Sequence, residues 1–320
     1  MTEQKNHPLR SLRKPLWCVL ALLLGVFICV QTILLLPQQY DLSYLGELTV
    51  KYERLRLMEG KKLVVVGGSS VAFGLDSAEM ERLSGLRTVN FGLYATLGTH
   101  YMMDLTRGNL GEGDIVILSP ETDENGLTMA FNGLATWEAS EGNWPLLLKV
   151  RGDDRGEMLG SFYAYAQQKL SFFRSTKPDP EGVYRKDSFN ELGDIVYARP
   201  ENIMEGGVDL DTPISLDESV VDEEFIDYVN AYVRYAERQG AQVYFAYPPM
   251  NRDAVVQDED GRAAFDSYLR SQLDCEIITD IESCLYDSSL FYDTNFHLND
   301  EGVPLRTRDL AAALYAALTA

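Results

Sequence analysis

Residues 16–36, LWCVLALLLGVFICVQTILLL, run for 21 residues without a charge. A helix of that length rises about 30 Å, enough to cross the hydrocarbon layer of a bilayer. Lys5, Arg10, Arg13 and Lys14 precede it, against the single acid Glu3. That imbalance predicts a cytoplasmic N-terminus. The alternative is a cleaved signal peptide. Against it, the run ends LLLPQQY with no small-x-small cleavage site and is long for an h-region. Cys29 follows Val26-Phe27-Ile28, without the small residue that a lipoprotein signal places before its cysteine. The expected layout is a cytoplasmic tail (1–15), an uncleaved signal anchor (16–36), a stalk helix (37–60) and one extracytoplasmic domain (61–320).

The formal charge of −21 is unevenly placed. Residues 1–15 carry four basic and one acidic residue, a net +3, leaving −24 for the rest. A surface so acidic, with no basic stripe, excludes free nucleic acid as a partner. It also argues against holding anionic polymers by bulk charge, so any such glycan must be met in a local cleft. Cys18 and Cys29 fall in the apolar run and read as inert fillers. Cys275 and Cys284 would face an oxidising space, where a disulfide and two buried thiols are both permitted.

Beyond the anchor the pattern alternates. LVVVGG (63–68), TVNFG (88–92), DIVILSP (114–120), QVYFAYPP (242–249) and CEIITD (275–280) read as buried strands. Between them lie helical stretches at 75–85, around 98–108, at 215–239 and at 300–318. The clearest is 215–239, with Val221, Phe225, Val229, Tyr232, Val233 and Ala236 on one face. Such alternation implies an α/β fold, a parallel sheet with helices on both faces. The pattern breaks over about 122–214, which reads as a partly helical insertion over the strand ends. Its aromatics, Trp137, Trp144, Phe162, Tyr163, Tyr165, Phe172 and Phe173, are either internal packing or a platform for sugar rings.

The turn after the first strand, VVVGGSSVAFGLDS, holds the chemistry. No lysine follows its glycines, so it is not a phosphate-binding Walker loop, and GGSSVAFG lacks the G-x-G-x-x-G order of a dinucleotide site. A nucleophilic serine is the third reading, and it needs a base. The chain has three histidines. His7 lies in the cytoplasmic tail, and His100 sits early in a predicted helix. His297 lies in a polar loop, FYDTNFHLNDEG, with Asp293 four residues upstream, near enough to orient an imidazole and favour its protonated form.

These segments resemble the SGNH/GDSL hydrolases, especially membrane-anchored extracytoplasmic members, over about residues 63–318 with the insertion matched loosely. GGSSVAFGLDS is similar to the family's first block, with Ser69 in the nucleophile position and Ser70 adjacent. VNFGLYATLG is similar to the second, where Gly92 would supply an oxyanion N–H beside that of Ser69. FYDTNFHLNDEG is similar to the last, with His297 as base and Asp293 as its orienting acid. FAYPPMN and FNELGD (189–194) also resemble the anchored subgroup. The resemblance implies a three-layer αβα sandwich of SGNH/flavodoxin-like type and no metal or organic cofactor. Two departures stand out. Strand three ends in SPET, placing Glu121 where the family carries an oxyanion-donating Asn. A carboxylate there must point away, be protonated or serve structure, with Asn125 or Asn251 substituting. The family's Asp-x-x-His is stretched by one residue, which could leave Thr294 or a backbone carbonyl orienting the ring. Ser70, Asn90, Glu121, Asn125 and Asn251 are candidate substrate contacts.

The implied activity is that of a serine esterase or O-acyltransferase acting on acyl groups of cell-envelope glycans or small acyl esters, with a multi-span membrane acyltransferase as a partner. A catalytically degenerate glycan-binding or assembly module on the same fold is the alternative. A nucleotide-binding α/β domain comes last, for want of a phosphate loop.

Overall fold

The computed structural model describes residues 13–174 and 181–320. The tail expected over residues 1–15 therefore lies, up to residue 12, outside the described residues. Seven strands follow in chain order: β1 (Lys62–Gly67), β2 (Arg87–Gly92), β3 (Ile115–Leu118), β4 (Gln242–Phe245), β5 (Met250–Asn251), β6 (Glu276–Ile277) and β7 (Leu285–Tyr286). Five of them form one parallel sheet in the order β2-β1-β3-β4-β6, and β5 and β7 form a separate parallel pair. The chain steps from β1 to β2 on one side and then to β3 on the other. The direction of winding thus reverses at β1, which opens a crevice at the strands' carboxyl ends.

Both faces of the central strands are apolar, as burial on both sides requires. Val64, Val66, Val116 and Leu118 feed one core, with the helices Glu47–Leu57, Thr99–Thr106 and Glu223–Arg238. Leu63, Val65, Ile115 and Ile117 feed the other, with Met80 of helix Ser77–Ser84 and Leu310, Ala311 and Leu314 of helix Gly302–Thr319. The helix boundaries follow local chemistry. Asp76 caps Ser77–Ser84 by accepting the Glu79 N–H at 3.0 Å, and Gly85 ends it at φ 72°. Phe225, Val229, Tyr232, Val233 and Ala236 form the buried face of Glu223–Arg238, while Val221 falls just outside it, because Asp222 caps the helix by accepting from Glu224 N–H.

Helix Arg13–Leu35 contains one stretch, Lys14–Leu35, of mean hydropathy 2.7, long and apolar enough to cross a membrane. The segment after it is no free-standing stalk. Glu47–Leu57 packs on β2, with Leu48 and Leu55 buried and Lys51 donating to the carbonyls of Asn90 (3.0 Å) and Gly193. Burying a lysine requires such acceptors, and the chain supplies them from two distant segments. The junction is also clamped: Glu141 accepts the backbone N–H groups of Gln39 and Tyr40 and pairs with buried Lys169.

The insertion is partly helical, with Gly133–Ala139 and Arg155–Arg174. Its aromatics are not an open platform. Trp137 packs 5.1 Å from Phe162 and 5.6 Å from Tyr165, Trp144 lies beside them, and Phe172 sits against Tyr40. Tyr163 is exposed, and the Phe173 side chain lies outside the described residues. Trp137, Trp144, Phe162, Tyr165 and Phe172 pack on one another or on Tyr40, so for these five internal packing is the reading that holds. Cys275 and Cys284 are free thiols, the first half-buried and the second buried, which decides against the disulfide.

Candidate active site at the sheet reversal

The reversal brings two turns together. The turn after β1 opens helix Ser69–Gly74, and the chain leaving β3 passes Ser119 and Pro120 to Glu121. Ser69 is half-buried and Ser70 fully buried with its hydroxyl shut away, so Ser69 is the more accessible of the adjacent serines. As the first residue of its helix, Ser69 has no intrahelical acceptor for its own N–H. The glycines before it are required by contact. A β-carbon on Gly68 would lie 2.3 Å from Glu121 Oε2, so any side chain there would evict the carboxylate.

Glu121 therefore points into the serine turn, not away from it. Its Oε1 accepts the Ser70 N–H at 2.7 Å and the Ser69 hydroxyl at 3.3 Å. Oε2 is buried and has no protein partner among the described residues. Burial, reinforced by the nearby charge of Asp123, raises the Glu121 pKa above the usual carboxylate range, while the bonds from Ser70 hold it down in part.

His297 approaches from the other side. Its imidazole stacks on Phe73 with ring centres 3.9 Å apart and planes 7° from parallel. Phe73 is the fourth residue after Ser69 on the same helix, one turn along one face, so the stacked ring lies on the flank of the serine turn. Nδ1 bonds Asp293 Oδ1 at 2.8 Å. The extra residue between acid and base is absorbed by Thr294, whose hydroxyl accepts the His297 N–H at 3.1 Å. Asn295 then pins the loop by donating to the carbonyls of Asp209 and Thr212. Burial alone would raise Asp293, but the bonds from His297 and from the Tyr184 hydroxyl (2.6 Å) outweigh it and hold its pKa below the usual range. Nε2 bonds no described residue, and no hydrogen bond joins it to Ser69.

The remaining candidates sort by how fully their polar atoms are already used. Gly92 packs so closely on Val71 that a β-carbon would lie 2.4 Å from it, and its N–H donates to Asn90 Oδ1 at 3.2 Å. That N–H is thus engaged in this conformation. Asn90 is fully buried and donates to Val71 O and Asp194. Asn251 is equally buried, donating to Gly207 O and Asn295 while capping Asp253. Both hold structure and neither reaches toward Ser69. Asn125 lies in a turn built on Asp123, which accepts its N–H, and makes no bond toward the serine.

Sequence reasoning missed Phe73 and Tyr184, the two side chains that fix the imidazole and its acid. Arg199, buried over the Phe73 ring at 5.2 Å, was missed as well. Only Phe73 carried a signal, four residues after the serine within a helical turn. Tyr184 and Arg199 come from the insertion, whose fold the pattern did not reveal. The FNELGD loop has a visible role: Asp194 accepts the N–H and hydroxyl of Ser77 and so fastens the insertion to the helix after the serine turn. Compared with protein-family models, curated proteins and solved structures, the chain matches none of them.

Proposed function

We propose that this chain is a membrane-anchored, extracytoplasmic serine esterase or O-acyltransferase of the SGNH type, acting on acyl groups of cell-envelope glycans. The observation that carries the reading is an acid-oriented histidine stacked on Phe73, one helical turn from a half-buried serine. The two-faced parallel sheet and the reversal at β1 agree with an SGNH-like αβα sandwich.

In this reading the Ser69 hydroxyl leaves Glu121 and attacks the acyl carbonyl, its proton passing to His297 Nε2. The Ser69 N–H supports the oxyanion. Collapse of the tetrahedral adduct breaks the bond to the leaving alkoxide, which takes the proton back from His297. Water or a sugar hydroxyl then attacks the acyl-serine by the reverse sequence. Asp293 holds the ring and stabilises its protonated form. The basic residues before the apolar run 16–36 support an extracytoplasmic domain in the same reading, where a multi-span acyltransferase would pass acyl groups to it.

A fluorophosphonate probe tests the mechanism. Labelling is expected for the parent chain and absent for Ser69→Ala and His297→Ala. Labelling indifferent to both substitutions sinks it. One observation favours a second reading, a non-catalytic glycan-binding module: Ser69 rests on Glu121, and no asparagine serves the oxyanion. That reading predicts no ester turnover by the parent chain and glycan affinity that survives Ser69→Ala.

A further inference from the structure

Beside the Asp293 end of the site lies a cavity of about 560 Å³ that the reaction above does not use. It is lined by Tyr44, Leu45, Tyr94, Asn132, Leu134, Ala135, Glu138 and Tyr184. We propose that this cleft is the glycan subsite of the protein, that it selects uncharged sugars, and that Tyr184 couples its occupancy to the Asp293–His297 pair. The proposal rests on the esterase reading for its link to chemistry, though the cleft can be tested without it.

Four observations converge. The cleft adjoins the site through one side chain, because the Tyr184 ring lines it while the Tyr184 hydroxyl donates to Asp293 Oδ2 at 2.6 Å. Its aromatic walls are open, unlike the rings packed around Trp137: Tyr94 is 41% and Tyr184 43% exposed. Tyr44, buried behind them, packs 5.7 Å from Tyr184 and fixes its position. The size is that of a small-ligand site.

The polar groups suit hydroxyls. Asn132 uses its Oδ1 to cap helix Gly133–Ala139, and its Nδ2 donates to no described residue, leaving an amide donor for a ligand. Glu138, whose carboxyl also takes the Tyr40 hydroxyl, adds an acceptor to the lining. Two flat ring faces with one donor and one acceptor match a pyranose, which presents C–H groups on its faces and hydroxyls on its rim. None of the eight lining residues is basic. An anionic sugar would meet Glu138 with no counter-charge, in a domain that is already strongly acidic. Burial, with the charge of Glu141 adding to it, raises Glu138 to about 7 despite the Tyr40 hydroxyl, so the discrimination against anionic sugars should be full above that pH and relax below it.

The test uses the full chain in lipid nanodiscs, because sugar-headed detergents would compete for the cleft. Binding of a neutral panel (cellohexaose, laminarihexaose, mannohexaose and chitohexaose) is measured by saturation-transfer NMR and calorimetry beside an oligogalacturonate. At least one neutral sugar is expected to bind, with the anionic one weaker by tenfold or more. Tyr94→Ala and Tyr184→Ala should each weaken binding roughly tenfold, and Tyr94→Trp should retain it. Tyr184→Phe keeps the ring and should bind sugar like the parent while turning over ester several-fold more slowly. Ser69→Ala should bind normally. Binding by no neutral sugar, tighter binding of the anionic one, or indifference to both alanine variants overturns the proposal. Tyrosine-dependent binding with Ser69-independent probe labelling would instead sink the esterase mechanism and leave the cleft standing.

Discussion

Two histidine–carboxylate pairs occupy this fold, and at first sight they are equivalent. His297 meets Asp293 at 2.8 Å and His100 meets Asp154 at 2.9 Å. They differ in what the second ring nitrogen faces. His100 is fully buried, presents Nε2 to Asp154, and leaves Nδ1 buried without a partner. Its ring packs against Phe131 and Tyr228, and among the described residues its one hydrogen-bond partner is Asp154. His297 gives Nδ1 to its acid, bonds no described residue through Nε2, and lies flat on the residue one turn from a half-buried serine. An acid–base pair becomes a candidate catalyst only when its outward nitrogen has somewhere to send a proton. His100–Asp154 instead ties helix Thr99–Thr106 to the residue just before helix Arg155–Arg174, and so locks the insertion onto the sheet.

The contrast can be broken most directly at the two rings. His297→Ala should lower ester turnover by roughly a thousandfold or more, while His100→Ala leaves probe labelling intact and lowers thermal stability. Equal loss of labelling in both variants would erase the distinction. Asp293→Asn should follow, with a loss of roughly a hundredfold or more, since it removes the acceptor that fixes the imidazole tautomer. Turnover assays beside circular-dichroism melts would separate that effect from unfolding.

Smaller effects sharpen the comparison. Glu121 ionises above the usual carboxylate range, and its anion holds the Ser69 hydroxyl, so Glu121→Gln should raise turnover severalfold on the alkaline side of that ionisation and little on the acid side. A pH–rate profile with no such divergence would deny Glu121 its restraint. For His100 the sign runs the other way. Burial lowers its pKa more than Asp154 restores it, so the unfolded chain takes up that proton first. Its contribution to stability should be complete above about pH 6.5 and fade as pH falls below it, a slope that His100→Gln should flatten in thermal melts.

Much of the fold was legible because its signals are local. The β-branched run of β1, the Asp76 and Gly85 caps and the apolar stripe of Glu223–Arg238 each follow from neighbours within a few residues. Ser69, His297 and Asp293 were legible for a related reason: a glycine-serine turn and an acid four residues from a histidine are short-range patterns. Contacts made across the chain were not. Tyr184 reaches Asp293 over 109 residues, and Asp154 reaches His100 over 54. Nothing in the spacing announces either. The sugar-stacking aromatics show the same limit, since composition records that rings are present, not whether they face each other or solvent. Nor could the amphipathic pattern of residues 40–60 distinguish a stalk from a helix of the domain. That turned on the Asn90 and Gly193 carbonyls waiting for Lys51.

The clamp at Glu141 has a mechanical side. Gln39 and Tyr40 follow the apolar helix by only a few residues, and Ile33, near its end, is already buried in the domain core. On the membrane reading, the domain is therefore bolted to its anchor and not leashed to it. It cannot sweep outward along a strand of the envelope or tilt to meet a distant ester. On that reading its working height above the lipid is set within a narrow band, and under the proposed function the substrate would have to travel to Ser69.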